Sequence, residues 1–133
     1  MKTVETTPAV FHEGNGRTQV SLSINRIGED LIVCLFNEAG HIGAAAVAEY
    51  CEEENRASVS VITCRGHMED DLASDAARKL CRAARRQVCV IAGIHLDGIT
   101  KEEISEIIVN CGRIVAIAIN KTTGNVGGTI ACS

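Results

Sequence analysis

The stretch Val88–Glu106, VCVIAGIHLDGITKEEISE, constrains the fold of this chain more than any other. Val88 to Ile94 is a continuous apolar run of strand length, rich in β-branched residues. Such a run reads as a strand covered on both faces. After His95, Asp97 and Gly98 the chain restarts as a helix at Thr100. Glu103 stands three residues after Thr100, which is the capping-box spacing: the hydroxyl accepts an orphan helix N–H, and the carboxylate reaches back to the cap's own N–H. A buried strand therefore delivers an imidazole and a carboxylate to its carboxyl end, beside a helix start. In open α/β sheets that edge is where ligands sit.

The remaining chain can be arranged around this unit. Residues 1–16 are polar, contain Pro8 and end in Gly14-Asn15-Gly16; they read as a loose arm. Thr18–Asn25 alternates, with Val20, Leu22 and Ile24 on one face, and predicts a half-solvated strand. Leu31–Phe36 is apolar throughout and predicts a central strand. Turns at Arg26–Asp30 and Asn37–Gly40 bracket it and set up an antiparallel meander. His41–Tyr50 is rich in small residues and is read as a third strand, Glu49–Arg56 as an acidic loop, and Ala57–Thr63 as a fourth strand. Met68, Leu72, Ala76 and Leu80 recur every four residues, a helical face. Acids fill its first turn and arginines its last, matching the helix dipole. Ile104, Ile107, Ile108, Cys111, Ile114 and Val115 predict the final helix.

The expected fold class is α+β, an α/β sandwich: a single mixed sheet of about five strands, an N-terminal antiparallel meander, two helices and one right-handed βαβ crossover. The crossover places the strands ending at Thr63 and Ile94 side by side. One domain spans 1–133, with arm 1–16, core 17–119 and a Gly/Thr-rich tail 120–133. If both helices cover one face, the other needs a partner, so a homo-oligomer is expected.

Composition narrows the function classes. Aromatic residues make up 2% of the 133, too few for base-stacking platforms, and a net charge of −4 offers a polyphosphate no attraction. Nucleic acid is not an expected partner. The 7 cysteines are odd in number, and no two form C-x-x-C. That usage fits a reducing cytoplasm and core thiols rather than disulfides. Neither a secretory leader nor a membrane span is expected.

Three histidines hold matching positions. His41 follows a turn, His67 lies between strand and helix, and His95 ends a strand. With Asp70 and Asp97 nearby they can serve as a zinc or iron site, or as acid–base groups near neutral pH. Equally, each can be a loop residue with one backbone hydrogen bond. No H-x-x-x-H or H-E-x-x-H spacing supports a metal. Thr100 is a cap first. Lys101 can meet a phosphate at the helix start or simply be solvated, and Arg17 can pair with an anion or remain a surface charge. The glycines form no phosphate loop.

The ordered blocks GRTQVSLSINRIGEDLIV, GHIGAAAVA, GHMEDDLASDAARKL and VCVIAGIHLDGITKEEI resemble the LpdD-like family, also described as prenylated-flavin chaperone-like, over residues 14–119. The resemblance implies a non-catalytic accessory protein. Its expected cofactor is prenylated FMN or FMN, without a metal, and its expected partner is the large subunit of a UbiD-type decarboxylase acting on aromatic acids such as gallate. The motif positions carried over are His41, His67, Glu69, Asp70, His95, Asp97, Thr100 and Lys101. Cys64-Arg65 stands where a proline-containing turn is expected before Gly66, and the tail beyond Asn120 matches nothing. Two alternatives from other classes stay open: a small metal-dependent enzyme using the His/Asp groups, and a purely structural oligomeric module.

Overall fold

The computed structural model describes residues 9–64 and 68–123. Its elements are β1 (Ala9–Glu13), a 3-10 turn (Gly16–Thr18), β2 (Val20–Ile27), β3 (Asp30–Phe36), β4 (Ala44–Cys51), β5 (Arg56–Thr63), α1 (Met68–Ala84), β6 (Val88–Gly93) and α2 (Lys101–Thr122). The strands form one mixed sheet in the order β1-β2-β3-β6-β4-β5. β1, β2 and β3 make the antiparallel meander. β6 runs parallel to β3 and antiparallel to β4.

Three expectations are corrected here. The arm is not loose throughout, because Ala9–Glu13 adds a sixth strand at the sheet edge, paired from Ala9↔Ile24 to Glu13↔Val20. The acidic loop is shorter than read: β4 continues through Glu49–Cys51, and a turn closes at Asn55 with φ 49°. Most consequentially, β5 and β6 are parallel but not adjacent. The crossover through α1 skips β4, and β6 inserts between β3 and β4. The physical reason lies in the burial demand of each strand. β6 is apolar on both faces and belongs inside the sheet. β5 exposes Val61 and Ile62 and alternates with Ser58 and Ser60, a pattern suited to an edge.

Both helices cover the same face. α1 lies over β4, β5 and β6, and α2 over β1 and β2 and against α1. Between sheet and helices sits the core: Val20, Leu22, Leu31, Val33, Leu35, Val88 and Val90 from the strands, Leu72, Leu80, Ile107 and Ile114 from the helices. In β4 the inward residues are Ala44, Ala46 and Ala48, fully buried, so α1 approaches the sheet closely there. α1 stops where Arg85 turns to φ 56°. Burial pushes the thiol of Cys111 up to about 12 and raises that of Cys81, as expected for thiols acting as small hydrophobes. Cys64, by contrast, is exposed.

One glycine of α2 has no packing role. A methyl at Gly112 would meet no atom within 4 Å. Gly112→Ala should therefore stabilise the fold by about 0.5–1 kcal/mol, through helix propensity and a less disordered unfolded chain. Urea denaturation checks this.

Candidate functional site

The carboxyl ends of β3 and β6 lie together, since Phe36 pairs with Gly93. The chain leaving β3 must pass over the end of β6 to enter β4 on its far side. Residues 37–43 make that passage. Asn37 accepts at its backbone carbonyl from Gly40 N (3.0 Å), and Gly43 N donates to Ala92 O (2.9 Å). The passage is tight. A Cβ on Gly40 would lie 1.9 Å from Gly93 O, and one on Gly93 would lie 2.1 Å from His41 O. Neither glycine has positive φ; what each supplies is space for one backbone to cross another.

Asn37 locks the crossing. Its Nδ2 donates to His95 O (2.9 Å), and its Oδ1 accepts from His95 N (3.1 Å). The side chain thus imitates a strand partner for His95, and Asn37 is only 8% exposed. The outcome is a pair of imidazoles: the His41 and His95 ring centroids are 5.6 Å apart, tilted by 36°. His95 Nε2 is 2.9 Å from Asp97 Oδ1. Asp97 is 98% exposed, so this contact orients the ring more than it stabilises the fold.

α1 meets the same loop. Glu69 is buried in its first turn, and a Cβ on Gly43 would fall 2.9 Å from the Glu69 Cδ and Cγ. Cys64 N donates to Gly43 O (2.8 Å), tying in the end of β5. Three blocks that are separate in sequence therefore converge: Gly40 and His41 on Gly93 and His95, and Gly43 on Glu69.

On the other side, the start of α2 is built as its spacing predicts. Glu103 N donates to Thr100 Oγ1 (3.1 Å), and Thr100 N donates to Glu103 Oε1 (3.0 Å). Arg17 from the 3-10 turn adds a clamp. Its Nε donates to Glu103 Oε2 (2.8 Å), and its Nη2 to Asp97 O (2.8 Å). The anion that Arg17 pairs with is thus internal. The hydrogen bond from Arg17, then that from the Thr100 backbone, holds the Glu103 carboxyl down to about 2 from an ordinary 4.5, while Arg17 is raised and stays charged. Because the folded value lies below the unfolded one, the stabilisation is complete above pH 4.5 and fades as pH falls toward 2. Arg17→Met should flatten that part of the acid-unfolding profile; thermal melts stepped from pH 6 to pH 2 would show it.

The assigned residues separate into groups. His41, His95, Asp97 and Thr100 lie on this rim. His67 lies outside the described residues. Asp70 accepts from Asp71 N within its own helix turn (2.7 Å), and no hydrogen bond to the imidazole pair is found for it among the described residues. Lys101 is exposed at the first turn of α2. Asn37 is the residue of this rim that sequence reasoning missed: in N-E-A-G it looks like any turn asparagine. A hollow of about 730 Å³ adjoins the rim, lined by Arg17, Ser21, Phe36, Asn37, Glu38 and Leu96 among others. That size is ordinary for a small-molecule site. No group of three His, Cys, Asp or Glu side chains among the described residues is placed to hold a metal, and no described helix is long and apolar enough to cross a membrane.

The architecture is shared with a chain from the crystal structure of a novel chaperone complex for yeast 20S proteasome assembly. The two superpose with a TM-score of 0.59 at 11% identity, over 89% of this chain and 98% of that one. The class defined is thus a two-layer α+β module with helices on one sheet face and a polar rim at the ends of β3 and β6. Comparison with curated proteins finds no match. Residues 14–123 match the prenylated flavin chaperone LpdD-like domain, and the chain belongs to that family.

Proposed function

We propose that this chain is a non-catalytic accessory protein that holds prenylated FMN or FMN at the rim and serves a UbiD-type aromatic-acid decarboxylase. The observation that carries this is the convergence of the family's separate sequence blocks on one place, with Gly40 against Gly93, Gly43 against Glu69 and His41 over His95.

The residues present fit a flavin. Phe36 and Leu96 offer apolar walls to a planar ring system. His41 and His95 offer hydrogen-bonding nitrogens at an exposed edge. Lys101, at the amino end of α2, adds positive charge of both side chain and helix dipole for a phosphate. The bound group would supply the redox and dipolar chemistry of the partner enzyme; this chain's residues bind it, orient it and shelter it from solvent. Service to a decarboxylase in the cytoplasm is the setting the family implies.

The test is titration of purified protein with FMN and with prenylated FMN, followed by absorbance and retention on a desalting column. His41→Ala with His95→Ala should weaken binding at least about tenfold, or about 1.4 kcal/mol, with circular dichroism unchanged because both rings are at the surface. His67→Ala extends the series to the third imidazole. Absence of any spectral shift or retention, together with no co-purifying decarboxylase, would end this reading.

A further inference from the structure

The face of the sheet that no described helix covers carries an apolar stripe across its middle strands. Ile32 and Cys34 of β3, Cys89 and Ile91 of β6, and Val47 of β4 stand on it in register, Cys34 opposite Ile91 and Val47 opposite Cys89. At the carboxyl end of β3 the stripe reaches Phe36, which is 37% exposed. Val47 is 51% exposed, and Ile62 on β5 is 72% exposed. An apolar field of this kind, with no covering layer among the described residues, marks an interaction surface. The geometry points to a second copy of this chain as its occupant, packed sheet to sheet, with the partner's sheet closing the open side of the hollow at Phe36 and Leu96.

Three observations select a second copy. The first is charge. The chain has a net charge of −4, so two copies repel unless the meeting faces are neutral. The stripe itself holds no ionisable group other than thiols, with Ser23 beside Cys34 and Ser60 beside Val47; the ionisable groups of this face stand outside it, Glu49 next to Ser58 and His12 next to Ser21. An apolar, uncharged centre with polar and charged groups kept to its border has the anatomy of an interface, and such a centre can be laid on itself. The second is area. Six strands about 4.8 Å apart and about seven residues long present roughly 660 Å² in projection. Two such faces bury about 1,300 Å², above the roughly 1,000 Å² that a specific interface needs. The third is continuity. Ser21 and Phe36 belong both to the open face and to the lining of the hollow, so a sheet packed about 10 Å above that face supplies the wall that one chain lacks. The interface stands on these observations alone; closure of the hollow rests on the flavin reading.

The experiment is sedimentation and light scattering of the full chain, with thiol mapping. The wild type should weigh twice the 14.1 kDa of one chain. Val47→Glu and, separately, Ile62→Lys should give folded monomers, since both positions are exposed in the single chain and lie outside the hollow. Alkylation of Cys34 and Cys89 by iodoacetamide, read by peptide mass, should be at least about tenfold faster in those monomers than in the wild type. FMN should bind at least tenfold more weakly to Val47→Glu than to the wild type. A monomeric wild type, or a dimer that survives both substitutions with both thiols reactive, overturns the interface. So does a face that becomes protected only when a decarboxylase is added. Equal FMN binding by dimer and monomer overturns the closure alone. FMN binding by neither form overturns the flavin reading, while mass and thiol reactivity still decide the interface.

Discussion

Gly93→Ala, like Gly40→Ala on the other side of the same crossing, should be a severely damaging single-methyl change, costing about 3 kcal/mol or more, at or above the top of the usual range for overpacking. The added Cβ would lie 2.1 Å from the His41 carbonyl oxygen and 2.6 Å from its carbon. Both are backbone atoms of a loop pinned by hydrogen bonds at Asn37 and Gly43, so no side chain can swing aside. The loop must lift, and the His41 ring leaves His95 as it does. Stability and flavin retention should fall together. Gly98→Ala is the control. Gly98 has φ 61° and open space around its Cα, so its replacement costs only the conformational penalty of about 1 kcal/mol and leaves the crossing intact. Chemical denaturation of the two variants in parallel distinguishes lost space from lost conformational freedom.

The contrast between those glycines also explains how much of the fold was legible in the sequence. The unit from Val88 to Glu103 could be read almost atom by atom, because its signals are local. A β-branched apolar run specifies a buried strand, and Thr100 with Glu103 specifies a reciprocal cap that the structure reproduces in both hydrogen bonds. Two helices followed from apolar stripes of period 3.6, while their sharing one face depended on the strand order. What was illegible was non-local. The insertion of β6 between β3 and β4 depends on which strand best fills an interior position, a competition among segments far apart in the chain. Placing the end of β5 directly beside that of β6 therefore misassigned the neighbouring strand; among the described residues the imidazole that His95 meets is His41, carried by the loop that β6 forces to arch. β1 was missed because five residues at an edge, largely exposed, bury too little to leave a periodic signature. The spatial meaning of Gly40 and Gly93 appears only once two backbones are known to cross.

Asn37→Asp isolates the lock on that crossing, and its effect should run opposite in pH to that of a typical native carboxylate. The amide now gives one donor and one acceptor to the backbone of His95 at 2.9 and 3.1 Å. An ionised carboxylate keeps the acceptor for His95 N but sets negative charge against His95 O, which loses its donor. Two penalties follow: an unpaired, part-buried carbonyl, at about 1–3 kcal/mol, and desolvation of the new charge at a site where the native side chain is 8% exposed. Together they should destabilise the protein by about 2–4 kcal/mol at pH 7. Protonation restores the native pattern, because the acid's O–H can donate to His95 O while its other oxygen still accepts. The introduced carboxyl therefore has a folded pKa above its unfolded value of about 3.9, and its neutral form is the one the fold prefers. The difference from the wild type should be largest above the raised folded value, shrink as pH falls through it, and be nearly gone near pH 4. Asn37→Leu, which can neither donate nor accept, should be destabilised with no such recovery. Urea midpoints for the three proteins between pH 4 and pH 8 would decide the matter; a pH-independent gap between Asn37→Asp and wild type would mean that the His95 backbone is held by something other than this amide.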